Sequence, residues 1–429
     1  MKRPSKKFVA LALCALLSIG VATAAAFMFG KKEAASLTVS AGLQHLADDA
    51  YLAASAPVGQ SVSFTPEWFD SRLSGSAVTS ITVTALPPAT EGLLKLGHGT
   101  VSLGQVIPRE TISYLSFVPN EGIRESSFSF MPTTTDGASG YSLACRLSLT
   151  DSVNCCPAAT KTVTPVSSHA SITISGTLVA EDPEGDPVRY EILSYPSGGT
   201  LSLDPVSGVF QYTPDADFSG EDRFVWRAQD IHGALGEAVS ASITVRELTT
   251  GYFFSDIGDG NTQSAALLVS EAGLMGGEMV GGKQYFHPDR ALTRAGFVAI
   301  LMKAAEIEAP DTDSTGFADD DEIPRGMKGA IAYAREQGWL GEEERFRPHD
   351  AITRAEAAEI AAKVLRLDAP GYADTVTDFS SIPVDVADAL YAIYEGGYIT
   401  TMADGSLAPT GVLNRADGAR FFARVLVKG

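Results

Sequence analysis

The last third of the chain repeats itself with a period of about 60 residues. One ten-residue pattern, which runs from an aromatic residue or Leu through Pro to Arg-Ala, occurs at residues 286–295, 346–355 and 407–416. Its arginines, Arg294, Arg354 and Arg415, lie 60 and 61 residues apart. Repeats of this length are supersecondary units that cannot bury their apolar face alone and therefore stack on one another. The repeat predicts three packed copies of one unit.

Two further features recur in the same order in each copy. A short helical pattern ends at a glycine turn, at Gly273, Gly338 and Gly397, where glycine supplies the left-handed C-cap. Each copy also opens on an aromatic residue, and the openings are assigned to Phe254-Ser255-Asp256, Phe317-Ala318-Asp319 and Phe379-Ser380-Ser381. Asp256 and Asp319 are predicted to be helix caps rather than polar residues at the edge of a groove.

This order of features resembles the S-layer homology family: F-x-D, a helix, a glycine turn, F-x-P, then T-R-A-E at the start of a second helix. The resemblance covers three copies, at residues 252–306, 313–368 and 374–429. It implies an all-α, three-pronged pseudo-trimer with grooves between the prongs. It also implies a place in the cell wall or S-layer, bound to secondary cell-wall polysaccharide, often pyruvylated, or to a peptidoglycan-linked glycan.

The start of the second helix in each copy is suited to an anion. Thr353 and Glu356 form a capping-box pattern, which places Arg354 at the first helical position. Free N–H groups and the helix dipole favour negative charge there, and a guanidinium grips a carboxylate with two hydrogen bonds. The alternative is that each arginine pairs with an acidic residue of a neighbouring prong. We expect Arg294, Arg354 or Arg415 to contact the glycan in at least one groove.

The three copies differ at this helix start. The first has Thr293 but Gly in place of the reciprocal Glu, and the third has Asn414 followed by Asp417. Because the second copy keeps the whole pattern, the groove served by Arg354 is the first choice for the ligand. Trp339 follows a glycine turn, where it either stacks on a sugar or packs in the core.

Residues before about 250 carry a β pattern. Short alternating runs such as Val78–Val83 and Ser127–Phe130 put one face in a core and the other in water. Two all-β sandwich domains are predicted, at 35–160 and 166–247, with the junction at 156–165. The segments 176–188, 199–204, 208–214 and 218–224 resemble bacterial cadherin-like or Ig-like repeats, which implies a spacer or adhesion role.

The second β domain is rich in acidic residues. Asp182, Glu184, Asp186 and Asp230 supply oxygen ligands of the kind that Ca²⁺ prefers. The same Asp-Pro and Gly-Asp pairs also form turns between strands, so calcium and plain turns are both open.

The N-terminus predicts export. Basic residues are followed by an apolar run from Phe8 to about Val21 and by A-x-A patterns, which predicts a signal peptide at residues 1–26. The uncharged stretch up to residue 30 is also long enough for an uncleaved anchor, and a membrane is a partner only in that case. Cys14 lies in this segment. Three cysteines remain in the exported chain, and a link from Cys145 to Cys155 or Cys156 would close a hairpin-sized loop.

Charge and motifs narrow the function classes. The formal net charge of −20 argues against nucleic acid as a partner. The chain lacks G-x-S-x-G, H-E-x-x-H and P-loop motifs, so no catalytic residue or cofactor other than calcium is predicted. The sequence therefore predicts a non-enzymatic surface protein anchored to the wall glycan. The alternatives are an S-layer lattice subunit, which requires self-association, and a cell-wall enzyme that is tethered by the repeats.

Overall fold

A computed structural model describes residues 52–73, 77–138, 141–163, 167–368 and 376–428. The predicted signal peptide or anchor, Cys14 and the first residues of the predicted domain 35–160 lie outside them. The described residues form two compact units. One contains the described parts of Met1–Ala158, Ala180–Arg189 and Ala228–Glu237, and the other contains those of Ala159–Val179, Tyr190–Arg227 and Ala238–Gly429.

The first β domain consists of two sheets. Its elements are β1 (Leu52–Pro57), β2 (Val62–Ser63), α1 (Pro66–Asp70), β3 (Val78–Ala85), β4 (Gly92–Leu96), β5 (Gly99–Thr100), β6 (Val106–Pro108), a 3-10 turn (Arg109–Tyr114), β7 (Leu115–Pro119), β8 (Glu125–Thr134), β9 (Gly137–Ala138) and β10 (Leu143–Thr150). One sheet has the order β1-β10-β8-β3-β6, with β9 on β8, and the other has the order β2-β7-β4-β5. The parallel pairing of β1 with β10 is the exception among largely antiparallel strands.

The alternation in the sequence places the core of this domain. In β8, Phe128 and Phe130 are buried on one face, while Ser127 is exposed and Ser129, which lies between them in sequence, is only partly buried. The Phe128 ring lies 5.5 Å from that of Phe64, which follows β2 in the other sheet. The two sheets therefore pack face to face through aromatic residues, as a sandwich requires.

The second β domain also has two sheets. Its strands are β11 (Ala158–Val163), β12 (Ser168–His169), β13 (Ile174–Glu181), β14 (Val188–Ser194), β15 (Gly199–Leu203), β16 (Val209–Pro214), β17 (Gly220–Asp230) and β18 (Val239–Arg246). The sheet orders are β11-β13-β16-β15 and β12-β18-β17-β14. Phe210 and Phe224 meet between the sheets with ring centroids 5.2 Å apart.

The predicted junction at 156–165 contains a strand. β11 begins at Ala158 and lies at the edge of a sheet beside β13. The prolines at both ends of this segment suggested a linker, but Thr and Val within it favour a strand. The strand runs across the predicted end of the first β domain at residue 160 and lies ahead of the predicted start of the second at residue 166.

Asp222 is a buried carboxylate that organises the second β domain. It accepts hydrogen bonds from the backbone N–H groups of Ser197, Gly198 and Arg223 at 2.9–3.0 Å, and from the Tyr212 hydroxyl at 2.7 Å. Burial by itself would raise the pKa of Asp222, but these donors outweigh burial and hold the pKa below its ordinary value. The charged form therefore stabilises the fold.

The C-terminal region is helical, with one short hairpin. Its elements are α2 (Gly260–Glu271), β19 (Glu278–Val280), β20 (Lys283–Tyr285), α3 (Arg294–Ala304), a 3-10 turn (Asp320–Glu322), α4 (Arg325–Glu336), α5 (Arg354–Val364), a 3-10 turn (Phe379–Ser381), α6 (Val384–Glu395) and α7 (Arg415–Lys428). The predicted order of fold classes, β-sandwich and then helical, is confirmed. The β19–β20 hairpin is an addition to the predicted all-α region.

Each predicted repeat contains two helices, and these helices pack between repeats. The contacting pairs are α2 with α7, α3 with α4, and α5 with α6. The first helix of one repeat thus lies against the second helix of the repeat before it, and α7 closes the cycle on α2. The predicted glycine turns adopt the left-handed conformation, with φ of 65–70° at Gly273, Gly338 and Gly397.

Three backbone hydrogen bonds join the segments ahead of α3, α5 and α7 in a ring. Leu292 N–H donates to Leu413 O at 2.9 Å, Ile352 N–H donates to Leu292 O at 2.9 Å, and Leu413 N–H donates to Ile352 O at 3.0 Å. All three side chains are at most 5% exposed. Because each repeat gives one bond and receives one, the three repeats close on one another.

Helix α2 is fixed to the second β domain. Asn261 pairs with the backbone of Ser175 through two hydrogen bonds of 2.9 Å. A Cβ at Gly260 would lie 1.7 Å from the Thr173 carbonyl oxygen, so only glycine permits this approach. The buried His169 ring nitrogen Nδ1 lies 2.9 Å from the Ser264 hydroxyl of α2.

Replacing Asp222 by Asn tests the buried carboxylate. We expect the free energy of unfolding of the second β domain to fall by about 1–3 kcal/mol at neutral pH, because an amide oxygen cannot serve four donors. The pKa of Asp222 is depressed in the folded state, so its contribution is present above the ordinary value of 3.8 and is lost as the pH falls below it.

Urea unfolding at a series of pH values measures this effect. Trp68 and Trp339 are replaced by Phe so that the fluorescence of buried Trp226 reports on this domain alone. The free energy of unfolding of the Asp222→Asn chain should also fall less steeply as the pH is lowered. Equal stability of the two chains at pH 7 would contradict the assigned role.

Candidate functional site

The three helix starts are capped as their sequences predict. Thr353 accepts from Glu356 N–H at 3.2 Å, and the Glu356 carboxylate accepts from Thr353 N–H at 2.9 Å, which confirms the capping box. Thr293 accepts from the N–H of its third helical residue at 3.1 Å without a reciprocal partner. Asn414 Oδ1 accepts from Asp417 N–H at 2.8 Å.

Each helix-start arginine reaches into the next repeat. The Nε–H group donates to the carbonyl of the residue that opens the F-x-P segment there. The bonds are Arg294 to Phe346 (3.0 Å), Arg354 to Leu407 (2.7 Å) and Arg415 to Phe286 (2.8 Å). The arginines therefore help to close the ring of repeats, a role that sequence analysis did not assign.

The remaining guanidinium donors distinguish the three arginines. Arg354 Nη2 donates to Thr400 O at 2.9 Å, and Arg415 Nη2 donates to Gly276 O at 2.6 Å. Arg294 Nη1 instead bonds Glu356 Oε1 at 2.5 Å. Within the described residues, Arg354 and Arg415 form no ion pair, whereas Arg294 does.

Burial and nearby charge set the electrostatics of these sites. Arg294 and Arg354 are 5% and 7% exposed, and Arg415 is half-buried. Burial lowers the pKa of Arg354, and the neighbouring Arg420 lowers it further against the opposing charge of Asp417. Burial also lowers the pKa of Arg415, with Arg290 acting in the same direction. Carboxylates oppose both shifts: Asp417 and Asp378 act on Arg354, and Asp256 acts on Arg415.

Asp256 and Asp319 are not helix caps. Both carboxylate oxygens of Asp256 accept from backbone N–H groups, of Phe286 at 2.8 Å and His287 at 2.7 Å. Asp319 makes the same pair of bonds to Phe346 and Arg347. These bonds hold the F-x-P segment in a tight turn, whose second residue has a φ of 58° in both copies.

The third copy opens at Val376, not at Phe379. Asp378 accepts from Leu407 and Ala408 N–H at 2.9 Å, which is the role of Asp256 and Asp319. The opening is therefore Val376-Thr377-Asp378, in which a buried valine replaces the aromatic residue. The conspicuous Phe379 misled the assignment, although the spacing to the F-x-P segment pointed to Asp378.

Trp339 is half-buried beside its glycine turn. Its ring meets Tyr333 edge to face at a centroid distance of 5.7 Å. Stacking of Trp339 on a sugar stays a prediction.

A cavity of about 480 Å³ lies beside the F-x-P segment of the first repeat. Its lining includes Asp256, Glu278, His287 and Arg290. Arg415 N–H donates to the Arg290 carbonyl at 2.9 Å, so this cavity adjoins the start of α7.

The acidic residues that were predicted as calcium ligands lie in turns. Asp182 Oδ1 accepts from the N–H groups of Glu184 and Asp186 at 3.0 and 3.2 Å. Buried Asp230 accepts from Asn154 Nδ2 at 2.8 Å and from two backbone N–H groups of its own turn. In the described residues, no three His, Cys, Asp or Glu side chains form a metal-binding group. Turn formation accounts for Asp182 Oδ1 and Asp230 Oδ1.

The three cysteines in the described part of the chain are not paired. Cys145 lies in the core of the first β domain with no exposed surface, while Cys155 and Cys156 are exposed. Burial raises the pKa of the Cys145 thiol. The link that was considered between Cys145 and the other two is therefore wrong, because the alternation of β10 turns Cys145 inward.

Comparison with known proteins identifies two domains. The family model of the bacterial cadherin-like domain matches residues 154–247, and that of the S-layer homology domain matches residues 316–358. No curated protein matches the chain. Both matched domain types are non-catalytic.

Solved structures show local likeness to the chain. An endo-fucoidan hydrolase of glycoside hydrolase family 107 is 19% identical over 49% of this chain and 29% of that one, with a TM-score of 0.20. The PKD domain of an M14-like peptidase from a Thermoplasmatales archaeon is 24% identical over 22% of this chain and 98% of that one, with a TM-score of 0.18. The human Desmocollin-1 ectodomain is 16% identical over 44% of this chain and 36% of that one, with a TM-score of 0.17.

The described helices include none that is both long and apolar enough to cross a bilayer. The S-layer homology domain indicates a place at the cell surface, anchored to the wall. The chain thus carries a bacterial cadherin-like domain followed by an S-layer homology domain, and the latter places it at the cell surface.

Proposed function

We propose that the helix-start arginines hold this protein non-covalently on an acidic secondary cell-wall polysaccharide, such as one that carries pyruvate ketals. The β domains then serve as a spacer or adhesive part outside the anchor, and the chain carries no active site. The observation that supports this most is that Arg354 and Arg415 have no carboxylate partner among the described residues, although both are at least half-buried.

A cation in such a place favours an external anion. Removing a guanidinium from water is costly unless an opposite charge or strong hydrogen bonds compensate for it. In both Arg354 and Arg415, Nε and Nη2 donate to backbone carbonyl oxygens, while Nη1 bonds no described residue. The ketal carboxylate of a pyruvylated sugar would supply the missing charge and accept from Nη1.

The helix start adds to this attraction. Arg354 and Arg415 begin α5 and α7, where the dipole and the first N–H groups favour negative charge by about 0.3–1 kcal/mol at an exposed site. Thr353, Asn414 and Glu356 act in this proposal as caps that fix the arginines, while Trp339 offers a sugar-stacking surface.

Binding of the full exported chain to purified wall sacculi tests the anchor. We expect binding to native sacculi and a loss of at least about tenfold on sacculi stripped of secondary polymer, since a lost charge-assisted contact is worth about 1.4 kcal/mol or more. At least one of the single variants Arg294→Ala, Arg354→Ala and Arg415→Ala should lose binding on native sacculi.

A matched control separates this effect from net charge. Arg325 is 89% exposed in its side chain and its removal changes the charge equally, so Arg325→Ala should bind like the natural chain. Arg→Lys variants and a far-ultraviolet dichroism spectrum of each protein separate ligand loss from unfolding. Equal binding by all variants, or to stripped and native sacculi, rejects the anchor.

We also propose that Ca²⁺ binds the turns of the second β domain. Asp182 Oδ2 and Asn154 Oδ1 are buried without a hydrogen-bond partner, and Glu184 and Asp186 line an adjoining cavity of about 270 Å³. Hard oxygen ligands of this kind suit Ca²⁺. They would complement the backbone donors that already fix Asp182 and Asp230.

Thermal melting of the full chain with and without a chelator tests this site. We expect removal of calcium to lower the melting temperature by several degrees, because a ligand that binds the native state stabilises it. Asp182→Asn should melt at the chelated value and should not respond to the chelator. An unchanged midpoint for the natural chain removes calcium from the account.

A further inference from the structure

Each of the arginines that begin α3, α5 and α7 adjoins the next repeat in the ring, at the start of that repeat's second helix. The third residue of each of these second helices is called the third-position residue: it is Gly296 in α3, Glu356 in α5 and Asp417 in α7. Arg294 bonds Glu356, and the cyclic order of the backbone bonds places Arg354 against the repeat of Asp417 and Arg415 against the repeat of Gly296. These three positions differ in charge and length, so the three arginines have unequal surroundings.

Arg294 is already occupied by a carboxylate of the chain. Glu356 Oε1 lies 2.5 Å from Arg294 Nη1, while Glu356 Oε2 completes the capping box with Thr353. A second carboxylate is also near, since Glu343 Oε2 lies 3.9 Å from Arg294 Nη2. The internal carboxylates thus stand where a sugar carboxylate would otherwise bind.

Arg354 is only partly compensated. Asp417 is one methylene shorter than Glu356, and its carboxylate bonds Arg420 at 2.6 Å instead of Arg354. It still attracts Arg354 at longer range, since its charge opposes the lowering of the pKa of Arg354. Asp378 acts in the same direction, so these two carboxylates partly compensate the charge of Arg354 without bonding it.

Arg415 faces no third-position side chain at all, because that residue is Gly296. A second cation is close by: Arg290 is exposed, lines the cavity of about 480 Å³, and makes no ion pair with any described residue. The corresponding positions of the other two repeats hold Asp350 and Gly411. This site therefore holds two guanidinium groups beside a cavity that the carboxylates of Asp256, Glu278 and Asp289 also line.

We propose that the third-position residue decides which helix-start arginine binds the wall polymer: Glu356 blocks Arg294, and Gly296 leaves Arg415, together with Arg290, as the principal contact for an acidic sugar. This inference rests on the proposed anchor and changes the order of the sites. The Arg354 groove, which sequence analysis placed first, becomes second because Asp417 partly neutralises it.

Placing a carboxylate at position 296 tests the inference. Gly296→Glu reproduces the arrangement of Arg294 and Glu356 at Arg415, so we expect it to weaken binding of the full chain to native sacculi by about tenfold. An added Cβ at Gly296 meets only the Thr293 hydroxyl, at 3.0 Å, and the second repeat accommodates Glu at the same position.

Gly296→Gln is the matched control. Gln can complete the capping box as Glu does, but it carries no charge, so this variant should bind within about twofold of the natural chain. Gln211 is exposed in the second β domain, and Gln211→Glu adds the same charge outside the repeats and should also leave binding unchanged. Arg290→Ala should cost roughly as much as Gly296→Glu.

The outcomes separate the two proposals. If the natural chain binds stripped and native sacculi equally, the anchor itself fails. If polymer-dependent binding is present but Gly296→Glu and Gly296→Gln bind alike, the anchor stands and the selection by the third-position residue is overturned.

Discussion

The ring of hydrogen bonds through Leu292, Ile352 and Leu413 is the constraint on which the helical region depends. It closes three repeats of unequal sequence into one cycle, in which every repeat gives and receives a bond. Each helix of a packed pair comes from a different repeat, so a repeat on its own would leave its apolar helix faces exposed. Closure therefore supplies both the core and the fixed positions of the three helix starts.

Closure also explains why arginine stands at these starts. Its Nε–H group fastens the F-x-P turn of the next repeat, as in Arg354 to Leu407, while the rest of the fork remains near the helix terminus. Lysine has one charged nitrogen and does not present such a fork. In the proposed anchor, a structural contact and the site for an acidic sugar therefore share one side chain, and the local partners decide how much charge is left for the ligand.

Sequence reasoning reached the capping box at Thr353 because that motif is local and has a known geometry. It assigned β11 to a linker because flanking prolines outweighed the strand pattern between them. It misplaced the third opening at Phe379 because an aromatic residue is more conspicuous than the Val376 that takes the position. The pairing of Glu356 with Arg294 joins two repeats, so no local pattern shows it.

Amide hydrogen exchange at the three ring positions tests cyclic closure most directly. With ¹⁵N-labelled Leu and Ile, the account predicts that Leu292, Ile352 and Leu413 exchange with one common opening free energy, because no repeat can leave the ring alone. If one of the three amides opens with a free energy that is lower by more than about 1 kcal/mol, the repeats separate independently and the closed ring does not govern the module.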